Sequence, residues 1–169
     1  AKAAVYYPPS GLHMLLLGQT GTGKTFFAEK TYEYSLYEGL LKEDAPFKSF
    51  NCADYYNNPQ LLMSQLFGYA KGAFTGADQD HEGLVEKADG GVLLLDEVHR
   101  LPPEGQEMLF YFIDNGSFNR LGENGVKRHS KVLFICATTE NPDSALLKTF
   151  VRRMPMTIQI PSLSERPIE

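Results

Sequence analysis

The sequence predicts an α/β fold in which a mainly parallel five-stranded sheet lies between two layers of helices. Three observations predict it. Apolar runs of strand length alternate along the chain with segments of helical character. The runs at 12–17 and 92–95 are almost continuously apolar, as expected for parallel strands that are buried on both faces. A glycine-rich loop joins the first of these runs to the first helix.

The predicted elements follow in a regular order, with glycine at the ends of helices and proline near their starts. Strands are predicted at 12–17, 47–50, 92–97, 131–137 and 156–160. Helices are predicted at 24–38, 58–66, 82–88, 103–114, and from Asn141 to a basic end that carries Lys148, Arg152 and Arg153.

Bulk composition limits the function classes. The 169 residues are expected to form one domain, residues 1–169, and the net charge of −5 argues against a broad nucleic-acid surface. Cys52 and Cys136 lie in apolar runs and are interpreted as reduced, buried thiols. No apolar stretch reaches membrane-spanning length and no signal peptide is visible, which predicts a cytoplasmic protein. The start without Met and the abrupt end suggest a piece of a longer protein.

The glycine-rich loop has the spacing G-x-x-x-x-G-K-T of a phosphate-binding P-loop. Its glycines allow successive backbone N–H groups to point at one anion, and the following helix adds its positive end. Lys24 would reach the β- and γ-phosphates of ATP, and the Thr25 hydroxyl would bind Mg²⁺. The alternative is an ordinary glycine-rich turn. The candidate ATP-binding residues here are Gly18, Gln19, Thr20, Gly21, Thr22, Gly23, Lys24 and Thr25.

An acidic pair ends the third predicted strand. The carboxyl ends of parallel strands are where open α/β sheets bind ligands, so Asp96 fits a Mg²⁺-binding carboxylate and Glu97 a base that orients water. The alternative is that both acids cap the next helix. Thr139 follows the fourth strand at the same edge, so it is a further candidate nucleotide contact.

Three motifs together carry a family resemblance. The P-loop, the segment Gly72-Ala73-Phe74-Thr75-Gly76-Ala77 and the segment 90–97 resemble the central AAA+ domain of bacterial sigma-54-dependent transcription activators. The resemblance implies a P-loop NTPase three-layer α/β/α sandwich that ends where the family's helical lid begins, so that the lid is absent. The segments 101–106 and 152–156 resemble a narrower branch that regulates sugar phosphotransferase operons.

The resemblance also implies roles for single residues. Phe74 and Thr75 match the tip of a loop that touches sigma-54, and the six residues Gly72 to Ala77 are the candidate partner contact. From the residues alone, this segment is a mobile hairpin that exposes an aromatic ring. Asn51 matches an asparagine that senses the γ-phosphate by holding Glu97. Without the resemblance, Asn51 is a turn former at the end of a strand. Residues 122–130 match a second loop that moves with the first.

Arg152 aligns with an arginine that each subunit of a ring supplies to its neighbour's ATP, and Arg153 stands beside it. Either could instead be a solvated helix end. The sequence departs from the family pattern at Thr139, where an asparagine is usual, and threonine forms hydrogen bonds with a shorter reach than asparagine.

The resulting hypothesis is a ring-forming ATPase that remodels sigma-54 polymerase and reaches DNA only through other domains. A non-hydrolysing ATP-binding module and a small-molecule kinase are the rival hypotheses. His99 and Arg100 are left without a role, and the segment 6–9 is a candidate wall of an adenine pocket.

Overall fold

The computed structural model describes residues 12–165. The candidate adenine-pocket wall at 6–9 lies outside the described residues. Within them, no helix is long and apolar enough to cross a bilayer.

Among residues 12–165, nine strands form one large sheet and two small hairpins. The large sheet contains five parallel strands in the order β2-β5-β8-β1-β9, which confirms the predicted parallel sheet. The strands are β1 (Met14–Leu17), β2 (Phe47–Asn51), β3 (Gly68–Tyr69), β4 (His81–Glu82), β5 (Val92–Asp96), β6 (Ser117–Phe118), β7 (Arg128–His129), β8 (Leu133–Thr138) and β9 (Met156–Gln159).

Six α-helices lie among residues 12–165, and the first four begin and end within two residues of the predicted positions. They are α1 (Lys24–Tyr37), α2 (Pro59–Phe67), α3 (Leu84–Lys87), α4 (Pro103–Asn115), α5 (Pro142–Ala145) and α6 (Lys148–Val151). Short 3₁₀ turns follow β2 at Cys52–Tyr55 and β5 at Val98–Arg100, and another lies at Leu163–Glu165.

The sheet separates two hydrophobic cores, which is the three-layer arrangement that the sequence predicted. Successive side chains of a strand point to opposite faces, so Leu15 packs in one core and its neighbours Met14 and Leu16 in the other. Because the central strands are buried on both faces, they consist of near-continuous apolar runs. Cys52 and Cys136 are both buried and unbridged, as predicted.

The prediction of one helix from Asn141 to Arg153 is wrong. The chain leaves the helical conformation at Leu146 and Leu147 and starts a new helix, α6. Leu146 turns into the core, and the Gln106 side chain accepts the Leu147 backbone N–H at 2.8 Å. A tertiary hydrogen bond from α4 therefore stabilises a break that local helical propensity would not produce.

Candidate functional site

The predicted site residues converge at the carboxyl edge of the large sheet. Leu17, which precedes the P-loop, pairs with Thr138, and Asn51 pairs with Asp96. All five strands run in the same direction, so the residues that follow each strand lie along one edge. The P-loop, the acidic pair, Asn51 and Thr139 are therefore brought together by topology.

The P-loop adopts the conformation that its glycines were expected to allow. Gly21 and Gly23 have φ of +80° and +90°, a left-handed region that other residues rarely enter. A Cβ at Gly18 would lie 2.8 Å from the backbone oxygen of Ile160, so that position also requires glycine. The loop is thus shaped by backbone requirements, and α1 begins directly after it at Lys24.

Lys24 is buried at the base of this loop. Its Nζ donates to the backbone oxygens of Gly18 at 2.8 Å and Gln19 at 3.0 Å. A buried ammonium that is satisfied only by neutral carbonyls has a strong electrostatic preference for an anion, because burial strengthens charge interactions. The arrangement suits a phosphate that is held by the loop.

Asp96 is half-buried at the end of β5. Its Oδ1 accepts the backbone N–H of Glu97 at 2.9 Å. Burial raises the pKa of Asp96, while the Glu97 N–H and the charge of Lys24 act in the opposite direction. A carboxylate that is held in this way beside a P-loop lysine is suited to binding a divalent cation together with Thr25, the second residue of α1.

Glu97 has an unusual backbone conformation. It is the one non-glycine residue with positive φ among residues 12–165, at φ 50° and ψ 45°. This left-handed conformation costs about 1–2 kcal/mol for a residue with a side chain, and such conformations cluster at functional sites. The turn directs the chain from β5 into the 3₁₀ turn at Val98–Arg100.

The Glu97 carboxylate is held from the side of β8. The Thr139 hydroxyl donates to Glu97 Oε2 at 3.0 Å, and His99 Nδ1 lies 3.4 Å from the same oxygen. The expected contact of Asn51 with Glu97 is not made in this structure. Asn51 instead accepts the backbone N–H of Ala53 at 3.0 Å and caps the following turn, which is the strand-end role.

His99, which the sequence left without a role, is part of this cluster. Only 7% of its side chain is exposed, and its Nδ1 lies 2.9 Å from the Thr138 hydroxyl. Burial lowers the pKa of His99, and the charge of Glu97 partly offsets this, so burial favours the neutral imidazole. The spacing from Glu97 was a usable signal, but the Thr138 contact links residues 39 positions apart and needed the fold.

The two adjacent arginines differ in their surroundings. Arg153 donates to Asp114 and to the Thr149 backbone oxygen, and its guanidinium lies 4.5 Å from the centre of the Phe110 ring. Arg152 is exposed at the end of α6, and its side chain has no hydrogen bond or ion pair to any of residues 12–165. Of the two, Arg152 is the one that is free to reach another molecule.

The segment from Gly72 to Ala77 forms the tip of a hairpin whose strands are β3 and β4. Thr75 is exposed at this tip, as expected. The expectation of an exposed aromatic ring is wrong, since Phe74 folds back on Tyr69 with ring centres 4.9 Å apart, and both rings are half-buried.

The second loop, residues 122–130, and Leu121 just before it contact this hairpin. The backbone N–H of Ala70 donates to Leu121 O at 3.0 Å, and the N–H of Leu121 donates to Gly68 O at 3.0 Å. A Cβ at Gly122 would lie 2.5 Å from the Cβ of Ala73, so the two loops meet at a glycine. The joint movement of the two loops stays a prediction.

An ion-pair cluster that the sequence did not predict lies beneath both loops. Arg120 is 6% exposed and makes a two-pronged pair with Glu86, with Arg120 Nη2 2.9 Å from Glu86 Oε2. Arg128 in the second loop bonds both Glu86 and Glu123. The hydrogen bond from Arg128 lowers the pKa of the Glu123 carboxyl. The bond from Arg128 to Glu86 anchors the second loop to α3.

Comparison with known proteins identifies relatives of this chain. The family model described as the sigma-54 interaction domain matches residues 2–160. The transcriptional regulatory protein LevR of Bacillus subtilis is 71% identical over 168 residues, and the transcriptional regulatory protein DagR of Salmonella typhimurium is 52% identical over the same length. Each alignment covers 99% of this chain and 18% of the relative, so the chain spans about a fifth of the length of these curated relatives.

Solved structures show the same fold. A crystal structure of NtrX from Brucella abortus superimposes with a TM-score of 0.79 at 23% identity, over 98% of this chain and 36% of NtrX. A crystal structure of NtrX in complex with ATP has a TM-score of 0.73 at 25% identity, over 92% of this chain and 34% of that one. The matched family, the parallel sheet with its P-loop and the hairpin tip agree, and the chain belongs to the sigma-54 interaction domain family of transcriptional activators.

Proposed function

We propose that this domain hydrolyses ATP at the sheet edge and, within a ring of identical subunits, uses the hydrolysis to remodel a sigma-54 RNA polymerase complex. The proposal rests on one observation, which is that a short continuous stretch of chain connects the site to the hairpin. Asn51 ends β2 beside Asp96, and the chain then passes through one 3₁₀ turn and α2 directly into the hairpin that ends in Thr75. The site and the candidate partner contact are therefore one helix apart.

ATP would bind with its phosphates in the P-loop. Buried Lys24 and the left-handed glycines fit an anion, and the homologous NtrX has been solved in complex with ATP. Thr25 and Asp96 would hold a Mg²⁺ ion, whose charge would offset that of the phosphates. In the bound state Lys24 would exchange its carbonyl partners for phosphate oxygens.

Glu97 is the proposed base that orients the attacking water. Arg152 is the proposed finger for the neighbouring subunit's ATP, because Arg153 is engaged within its own subunit. Asn51 is proposed to sense the γ-phosphate by holding Glu97 in one state of the nucleotide and releasing it in the other. Work can be transmitted only if the γ-phosphate binds more tightly to one arrangement of the Gly72–Ala77 segment than to another.

Thr75, with its neighbours from Gly72 to Ala77, is the proposed sigma-54 contact. Because Phe74 is packed on Tyr69, we propose that its exposure is part of the conformational change. DNA contact is assigned to parts of the protein outside these 169 residues, since their net charge is −5. The high identities to LevR and DagR support the proposed branch, the regulators of sugar phosphotransferase operons, and a cytoplasmic location follows from that role.

The test is steady-state phosphate release from ATP at high protein concentration, without any added acceptor. We expect turnover by the wild type and a loss of about 10²-fold or more in Glu97→Gln. The matched control is Glu104→Gln, which replaces an exposed carboxylate in the first turn of α4 and should retain full activity. ATP binding without turnover above Glu97→Gln would instead indicate a non-hydrolysing ATP-dependent interaction module.

A further inference from the structure

We propose that His99 is a positioning residue for Glu97, and that with Thr139 it holds the glutamate carboxylate on the P-loop side of β5. The inference rests on the proposed function, since it concerns the residue that acts on ATP. It assigns a role to an imidazole that neither the P-loop nor the acidic pair requires.

The order of the strands defines two sides for Glu97. β5 lies between β2, which ends in Asn51, and β8, which is followed by Thr139. β8 in turn lies next to β1, the strand that leads into the P-loop. A carboxylate that is drawn towards β8 is therefore drawn towards the nucleotide, and one that is drawn towards Asn51 moves away from it.

The hydrogen-bond pattern identifies which nitrogen of His99 acts. Nδ1 lies between two oxygens, the Thr138 hydroxyl at 2.9 Å and Glu97 Oε2 at 3.4 Å. If Nδ1 carried a lone pair, that lone pair would face the carboxylate and repel it. If Nδ1 carries the hydrogen, it donates to Thr138 and attracts Glu97. The second arrangement is the favourable one.

Thr138 fixes the imidazole in this orientation. It is fully buried at the end of β8, and its Oγ1 also accepts the backbone N–H of Glu140 at 3.0 Å. A hydroxyl oxygen has two acceptor sites, so it accepts from both Glu140 and His99. The two consecutive threonines thus have different roles, since Thr138 orients His99 and Thr139 donates a hydrogen bond to Glu97 directly.

Glu97 requires such support because its other restraints are weak. Thr139 is exposed and supplies one hydrogen bond, and the backbone of Glu97 is in a left-handed conformation. Asn51 lies on the opposite side of Glu97 from Thr139 and competes for the Glu97 carboxylate. Loss of the His99 contact would shift the carboxylate away from the nucleotide, and a displacement of about 1 Å at a reacting group reduces the rate by about 10²-fold.

The test compares three substitutions at one position in the full chain. His99→Ala should lower kcat for ATP hydrolysis by about 10- to 100-fold and leave KM and the affinity for ATP within about twofold. His99→Asn places an amide N–H near the position of Nδ1 and should recover most of kcat. His99→Gln reaches the position of Nε2 instead and should not recover it. Arg100→Ala, which removes an exposed neighbour that stacks on Tyr56, is the control and should behave as wild type.

Asn and Gln are both polar and similar in size, so a defect in folding alone would affect them alike. Equal kcat for His99→Ala and the wild type, or equal recovery by Asn and Gln, would overturn the inference. If the wild type does not exceed Glu97→Gln in turnover, the proposed function fails. The inference then depends on a crystal structure of nucleotide-free His99→Ala. There, the Glu97 carboxylate should have left Thr139, and an unchanged contact would refute the role of His99.

Discussion

Replacing Arg152 by alanine tests the proposed site between subunits, and Arg153→Ala provides a matched comparison one residue away. Arg152 is exposed, and its side chain has no hydrogen bond or ion pair among residues 12–165. Arg153 is bonded to Asp114 and Thr149 and stacks on Phe110. The first substitution should therefore affect the neighbour's ATP, and the second should affect the attachment of α6 to α4.

The expected magnitudes differ greatly. An arginine finger contributes about 10³–10⁵ in rate, so Arg152→Ala should lose at least about 10³-fold in kcat while ATP affinity stays unchanged. Arg153→Ala should retain most of its activity and show a lower Tm, because it loses contacts within its own subunit.

A mixing assay identifies action between subunits. Arg152→Ala retains its own ATP site but lacks the finger, and Lys24→Ala retains the finger but lacks the ATP site. In an equal mixture of these two inactive variants, about a quarter of the interfaces combine an intact ATP site with an intact finger, if subunits assort randomly. Phosphate release should rise to roughly this fraction of the wild-type rate.

Two results would refute this reasoning. Wild-type kcat in Arg152→Ala would remove the residue from the mechanism. Full loss of activity in Arg152→Ala without recovery on mixing would mean that the arginine acts within its own subunit.

Three further predictions concern stability and packing. Burial lowers the pKa of His13 from 6.5 to about 4, so the unfolded state binds a proton at pH 5 that the folded state does not. Stability should therefore fall by about 2 kcal/mol between pH 7 and pH 5, and urea unfolding of His13→Asn should lack this part of the loss. An equal loss in both proteins would contradict it. Burial raises the pKa of the Cys52 thiol to about 12 and raises that of Cys136 as well. Neither thiol should react with a thiol reagent at pH 8 until urea unfolds the chain, and rapid labelling of the native protein would show that they are accessible. Gly122→Ala forces a side chain into a left-handed position against Ala73, and it should cost about 1–2 kcal/mol of stability and speed hydrogen exchange of the hairpin amides. Unchanged exchange would mean that the two loops do not support each other.

The sequence predicted the features that local patterns determine. The P-loop spacing, the apolar strands and the acidic pair are all contained in short segments, so their positions and their shared sheet edge followed from the alternation of strands and helices. The membership of the family was equally accessible, since residues 72–77 and the P-loop identify it without the fold.

The remaining features depend on contacts between distant parts of the chain. Gln106 bonds Leu147 across 41 residues and so stabilises the break after α5, and Thr138 forms a hydrogen bond with His99 across 39 residues. Asn51 was expected to bind Glu97, but in this structure Thr139 binds it from the opposite side. Such choices between nearby partners are decided by tertiary geometry, which spacing in a sequence does not contain.

The most direct test of the central claim is a pull-down of sigma-54 in the presence of ADP and aluminium fluoride, which imitate ATP during hydrolysis. We expect the wild-type chain to retain sigma-54 only with this nucleotide mixture and Thr75→Ala not to retain it. Retention of sigma-54 without nucleotide, or equal retention by Thr75→Ala, would contradict the account.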